Sequence, residues 1–103
     1  MKVDIWDVWS YLTRYSSFDS PVKSAALERA FRCKGGSIRD AIEELRRGGK
    51  PIGSDQRGYY YAATKEELEP TLAHLERRAM SMLATIKQLR AIYAAESQLS
   101  IFN

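Results

Sequence analysis

The chain has 103 residues, 45% of them hydrophobic, which is enough for one compact core and too little for two ordinary domains. Its single cysteine, Cys33, cannot close an intrachain disulfide, and no basic stretch followed by an apolar run opens the chain, so a reducing cytoplasm is expected. No apolar run approaches the roughly 20 residues that cross a bilayer, so the chain is expected to be soluble, with no membrane partner.

The net charge is +3, and its placement matters more than its size. Residues 1 to 31 carry four bases and four acids, and residues 64 to 103 carry five of each. The excess lies between Arg32 and Arg57, where seven bases (Arg32, Lys34, Arg39, Arg46, Arg47, Lys50, Arg57) face four acids (Asp40, Glu43, Glu44, Asp55). A local positive field of this kind suits a polyanion, and it also suits a solvated surface.

Ile5, Val8, Trp9 and Leu12 recur at i, i+3, i+4, i+7 and predict a helix from about Asp4 to Tyr15, with Asp4 as its N-cap. Pro21-Val22-Lys23 is too short for more than an extended edge, because proline disfavours helix before it and cannot donate to a ladder. Ser24 is expected to cap a short helix that turns Ala26, Leu27, Ala30 and Phe31 inward. Cys33-Lys34-Gly35-Gly36 then supplies glycines for a tight reversal. Ser37 opens the next helix, with Asp40 three residues on and Ile38, Ala41, Ile42 and Leu45 as its buried stripe. Gly48-Gly49 ends it. Pro51 to Ser54, the polar turn Asp55-Gln56-Arg57-Gly58 and the aromatic run Tyr59-Tyr60-Tyr61 read as a hairpin with an arginine at its tip, at least one tyrosine packing inward.

The predicted class is therefore mainly α with a small β-hairpin wing (α+β), followed by a long C-terminal helix. Ser37-Ile38-Arg39, Glu44-Leu45-Arg46, Gly49-Lys50-Pro51-Ile52, Gly58-Tyr59-Tyr60 and Ala62 together resemble the recognition helix and wing of small winged helix-turn-helix proteins of bacteria and their phages. The resemblance covers about 40 residues and implies binding of duplex DNA. In such a frame Arg39, near the helix N-terminus, is placed to donate two bonds to guanine, a contact worth about 1 to 3 kcal/mol of discrimination. Glu43 stands four residues further on the same face. Arg46, Arg47 and Lys50 are placed for phosphates, and Arg57 for the adjacent minor groove or backbone. An Arg39–Glu43 ion pair on a solvated helix, and use of the winged helix as a protein-binding module, remain alternatives.

Cys33 and His74 each lack a second ligand at metal spacing, and no nucleophile, base and orienter set occurs. No enzyme activity, catalytic residue, metal, cofactor or small-molecule substrate is expected. Cys33 reads as a half-buried small residue and His74 as a solvated one.

Thr64 and Glu67 form a capping box for a helix predicted to run to about Glu96, with a kink or a separate first turn near Pro70. Leu68, Leu72, Leu75, Ala79, Met82, Ile86, Leu89 and Tyr93 alternate in steps of four and three, an uninterrupted heptad seam. The seam points to a homodimer through Leu72, Leu75, Ala79, Met82, Ile86, Leu89 and Tyr93. Packing of the seam across the helix of Trp6 and Trp9 in the same chain is the alternative. The expected organisation is thus a winged-helix domain over 1–63, a dimerisation helix over 64–96 and a flexible tail over 97–103.

The tail reads Gln98-Leu99-Ser100-Ile101-Phe102-Asn103. It resembles the peptide Gln-Leu-Ser/Asp-Leu-Phe by which many proteins bind the bacterial replicative sliding clamp, the β subunit of DNA polymerase III, with Ile101 in place of leucine. The resemblance implies a hydrogen bond from Gln98, an apolar contact from Leu99, and Ile101 with Phe102 as anchors, Ser100 lying between. An apolar end folded onto the dimer is the alternative. The expected protein is non-enzymatic, dimeric and nucleoid-associated, and binds duplex DNA and the sliding clamp. A dimeric transcription regulator without clamp binding, or a phage inhibitor of a host protein, are the competing expectations.

Overall fold

The computed structural model describes residues 3–102, and their side chains as far as residue 95. The chain divides into two units, Met1–Thr71 and Leu72–Asn103. The first holds helices α1 (Ile5–Tyr15), α2 (Ser24–Phe31) and α3 (Gly35–Arg47), strands β1 (Ile52–Asp55) and β2 (Gly58–Tyr61), and the first turns of helix α4 (Lys65–Phe102). Three helices, an antiparallel hairpin and a long C-terminal helix are the layout of a winged helix-turn-helix, as the sequence predicts.

Asp4 caps α1 by accepting the Trp6 amide at 2.9 Å, so an otherwise unpaired N–H of the first turn is satisfied. Val8 and Leu12 are buried, while Ile5 and Trp9 pack at the edge of the same stripe. The caps of the next two helices differ from those expected. Lys23, not Ser24, precedes α2, and Ser24 Oγ instead donates to Glu28 Oε2 at 3.1 Å. Leu27 is buried and Phe31 packs beside the core, whereas Ala30 is exposed, because a helix of two turns turns only a narrow stripe inward.

The reversal between α2 and α3 is made by Arg32, which takes the left-handed conformation with φ 51° and ψ 51°. With the chain already turned there, Gly35 and Gly36 are free to join α3, which starts two residues earlier than Ser37 and has Lys34 at its N-cap position. Ile38, Ala41, Ile42 and Leu45 are buried as the spacing requires. They meet Val8, Leu12, Leu27 and Ile52 in one core.

In the wing, Ile52 pairs with Tyr61, Gly53 with Tyr60, Ser54 with Tyr59 and Asp55 with Gly58. Val22 bridges to Tyr59 through two backbone bonds of 2.7 and 2.8 Å, so the extended edge becomes a third short segment beside β2. Tyr60 is the inward tyrosine. Its ring lies over Gly53, where any Cβ would overlap it. Its hydroxyl donates to Glu67 O at 2.8 Å, while Thr71 Oγ1 accepts the Ser54 amide at 3.0 Å. These bonds fall on both sides of Pro70. They hold the first turns of α4 to the wing, and the helix runs on through Pro70 with no separate first turn. The capping interactions are Glu67 N to Thr64 Oγ1 at 3.2 Å and Ala63 N to Glu67 Oε1 at 2.8 Å, the second lying one residue before the predicted one.

In the second unit every described side chain from Leu72 to Ala95 is exposed. The seam residues Leu75, Ile86 and Tyr93 are 38%, 43% and 72% exposed. The backbone is helical to Phe102, beyond the boundary expected at Glu96. From Ser97 to Phe102 there is no glycine or proline to stop the helix. The side chains of Gln98, Leu99, Ser100, Ile101 and Phe102 lie outside the described residues.

Candidate nucleic-acid interface

The helix predicted to face DNA, α3, presents Arg39, Asp40, Glu43, Glu44 and Arg47 to solvent. Glu43 pairs with Arg47 at 3.4 Å, not with Arg39. Both side chains of that pair are mostly exposed, so it contributes little to stability and is easily exchanged for another charge. The Arg39 side chain makes no hydrogen bond or ion pair among the described residues. Its guanidinium lies over the first turn of α3, with Nη1 3.6 Å from where a Cβ on Gly35 would stand and Nη2 3.7 Å from the same point on Gly36. The Glu28 carboxylate lies 3.5 Å from the same Gly35 position.

That end of α3 has no side-chain cap, so its leading amides are unpaired within the helix. Together with the helix dipole they favour an anion. Lys34, at the N-cap, and Arg32, in the preceding turn, are both exposed here. Sequence reasoning counted both in the positive stretch but gave neither a contact. Their place immediately before the helix was the available signal.

Three of the residues expected to touch DNA are engaged by contacts within the chain. Arg46 is half-buried, and its Nε donates to Ile52 O at 2.9 Å while Nη2 donates to Ser54 Oγ at 3.1 Å. Burial pushes its guanidinium below the ordinary value, opposed by the nearby Tyr59, Tyr60 and Glu43. A cation held this way is a strut between α3 and β1. The periodicity that puts Arg46 outside the buried stripe cannot show that the wing folds over it.

Lys50 is also half-buried, with Nζ 5.6 Å from the Trp6 ring centre and 5.5 Å from that of Trp9. Its charge is placed against aromatic faces, a cation–π arrangement. Arg57 stands at the wing tip as expected, but its side chain turns back. Nη2 reaches Asp55 Oδ2 at 2.9 Å and Phe18 O at 3.0 Å, and the Asp55 carboxylate also accepts the Arg57 amide at 2.7 Å. The hydrogen bond from Arg57 holds the Asp55 carboxyl below its usual range, and the same bond raises the Arg57 guanidinium. The two-residue turn Gln56-Arg57 thus carries its own counter-charge.

Of the expected contacts, Arg39 and Arg47 remain outward on α3, with Glu43 between them. Cys33 is half-buried beside the core, and Trp9 and Tyr61 meet edge to face at 5.6 Å, so these aromatic groups are used in packing. No helix among the described residues is long and apolar enough to cross a membrane. No family model matches the chain, and comparison with curated proteins and with solved structures finds no match either.

Proposed function

We propose that the protein is a non-enzymatic, dimeric, nucleoid-associated winged-helix protein that binds duplex DNA with the N-terminal end of α3. The observation that carries this reading is the unengaged Arg39 guanidinium over the uncapped, glycine-rich first turn of α3, beside exposed Lys34 and Arg32. Leading amides with Arg39 over them, and Lys34 and Arg32 just before the helix, suit a phosphate and an adjacent base edge, with the Glu28 carboxylate as the opposing charge at the same turn. Removing Arg39 and Lys34 (Arg39→Ala with Lys34→Ala) should weaken duplex binding and reduce the slope of log affinity against log salt by about two, near 0.9 for each phosphate lost. An unchanged slope would transfer the site to a protein partner. That second reading is favoured by the acids Asp40, Glu43 and Glu44 on the same helix face and by the internal use of Arg46, Lys50 and Arg57.

The tail completes the proposal. Gln98 to Phe102 docks on the bacterial sliding clamp, as its likeness to clamp-binding peptides implies, so that the protein recruits replication factors or competes with them. The full chain should be retained by immobilised clamp, and Phe102→Ala should release it. Equal retention of both would leave a DNA-binding dimer of the regulator type.

A further inference from the structure

The face of α4 left open in the single chain has a pattern that specifies its own complement. In heptad terms Leu72, Ala79, Ile86 and Tyr93 take one core position, and Leu75, Met82 and Leu89 the other. The flanking positions hold Glu76, Leu83 and Arg90 on one side and Arg78, Thr85 and Ile92 on the other. Leu83 and Ile92, 59% and 51% exposed, widen the apolar stripe beyond a simple seam. We infer that this face is covered by a second copy of the same helix running antiparallel, centred near Ala84. The inference rests on the dimeric reading above and adds its direction and register.

Charge and volume both select this arrangement. Two parallel helices in register would set Ala79 against the partner's Ala79 and Tyr93 against the partner's Tyr93, a thin layer and a thick one. Their flanks would bring Arg78 to the partner's Leu83 and Thr85 to the partner's Arg90, with no pair of opposite charges. The antiparallel register opposes Leu75 to the partner's Tyr93, Ala79 to the partner's Leu89 and Met82 to the partner's Ile86. Ala79, the smallest residue of the seam, then meets the larger Leu89, and Tyr93 meets Leu75 and not a second tyrosine. The same register places Glu76 beside the partner's Arg90 twice, by symmetry, and Leu83 against the partner's Leu83 at the centre. Arg78 lies beside the partner's Ile92, where its aliphatic stem can cover apolar surface. Coiled-coil flanks set orientation in this way.

Charge reversal in the full chain tests the register. Glu76→Lys alone and Arg90→Glu alone should each raise the dimer dissociation constant about tenfold in sedimentation, since two attractive contacts become repulsive. The two changes together should restore it. In a Cys33→Ser background, Ala79→Cys and Leu89→Cys chains should each stay unlinked under oxidation and link only when mixed and reannealed. A dimer in which each single-cysteine chain links to itself, or in which the double reversal fails to recover, overturns the antiparallel register but keeps the homodimer. A full chain that sediments as a monomer at micromolar concentration overturns both.

Discussion

Asp55 and Arg57 show how two residues of opposite charge, one residue apart, set what a wing tip can do. Their contact is exposed, so it adds little to stability. The Asp55 carboxyl is depressed in the fold, so its contribution is present above the unfolded value, about pH 4, and disappears as pH falls through the lower folded value. Its larger effect is on availability. Asp55→Asn keeps an oxygen for the Arg57 amide and removes the counter-charge, leaving the guanidinium free to turn outward. Duplex affinity should rise and its salt slope steepen by about one. No change in slope would place the wing tip away from the DNA backbone. Gly36 offers a second test. A Cβ there meets only Arg39 Nη2 at 3.7 Å, and the residue is helical. Gly36→Ala should therefore stabilise the fold by about 0.5 to 1 kcal/mol in thermal unfolding. The same methyl stands where a phosphate would approach, so duplex binding should weaken in the more stable protein. Stabilisation with full affinity would move the contact elsewhere.

Arg46 and Arg47 are neighbours on α3 with different work, and the element explains the difference. Arg46 ties the end of the helix to β1 through Ile52 O and Ser54 Oγ, whereas Arg47 meets only Glu43 in solvent. Arg46→Ala should cost about 1 to 3 kcal/mol in denaturant unfolding, because a half-buried carbonyl loses its donor. Arg47→Ala should stay within about 0.5 kcal/mol and act only on duplex binding. Equal stability of the two variants would sink the strut assignment. The wing closes from its other end through Tyr60, whose ring needs Gly53 beneath it and whose hydroxyl reaches Glu67 O. Helix, wing and the start of α4 are therefore joined by a few polar contacts at the margin of one apolar core.

At the scale of the whole molecule, the proposed function makes assembly through the open seam of the second unit a condition of tight duplex binding. Ile86→Glu puts a charge into its middle, where the side chain is now 43% exposed in the single chain. The variant should sediment as a monomer. It should keep the fluorescence of Trp6 and Trp9, which belong to the first unit, and bind duplex about 10- to 100-fold more weakly through loss of the second site. Monomerisation with undiminished affinity would show that one copy suffices.

How much of this was legible beforehand depends on the range of the interactions concerned. The order of helices and hairpin, the buried stripe of α3, the Asp4 cap and the uninterrupted heptad were readable because each depends on periodicity or on neighbours within a turn or two of chain. The start of α3 was misplaced because Arg32 adopts a positive φ that composition assigns to glycine. The internal duties of Arg46 and Lys50, and the bond from Arg57 to Phe18 O, were invisible for a different reason. Their acceptors and rings come from β1, α1 and the segment at Phe18, brought together only when the core of Val8, Leu27, Ile38 and Ile52 closes. Sequence alone determined which faces are apolar and where the positive charge is concentrated. Tertiary structure decided which of those charges are still free, because a long cationic side chain takes whatever acceptor or aromatic face the folded chain brings within its reach.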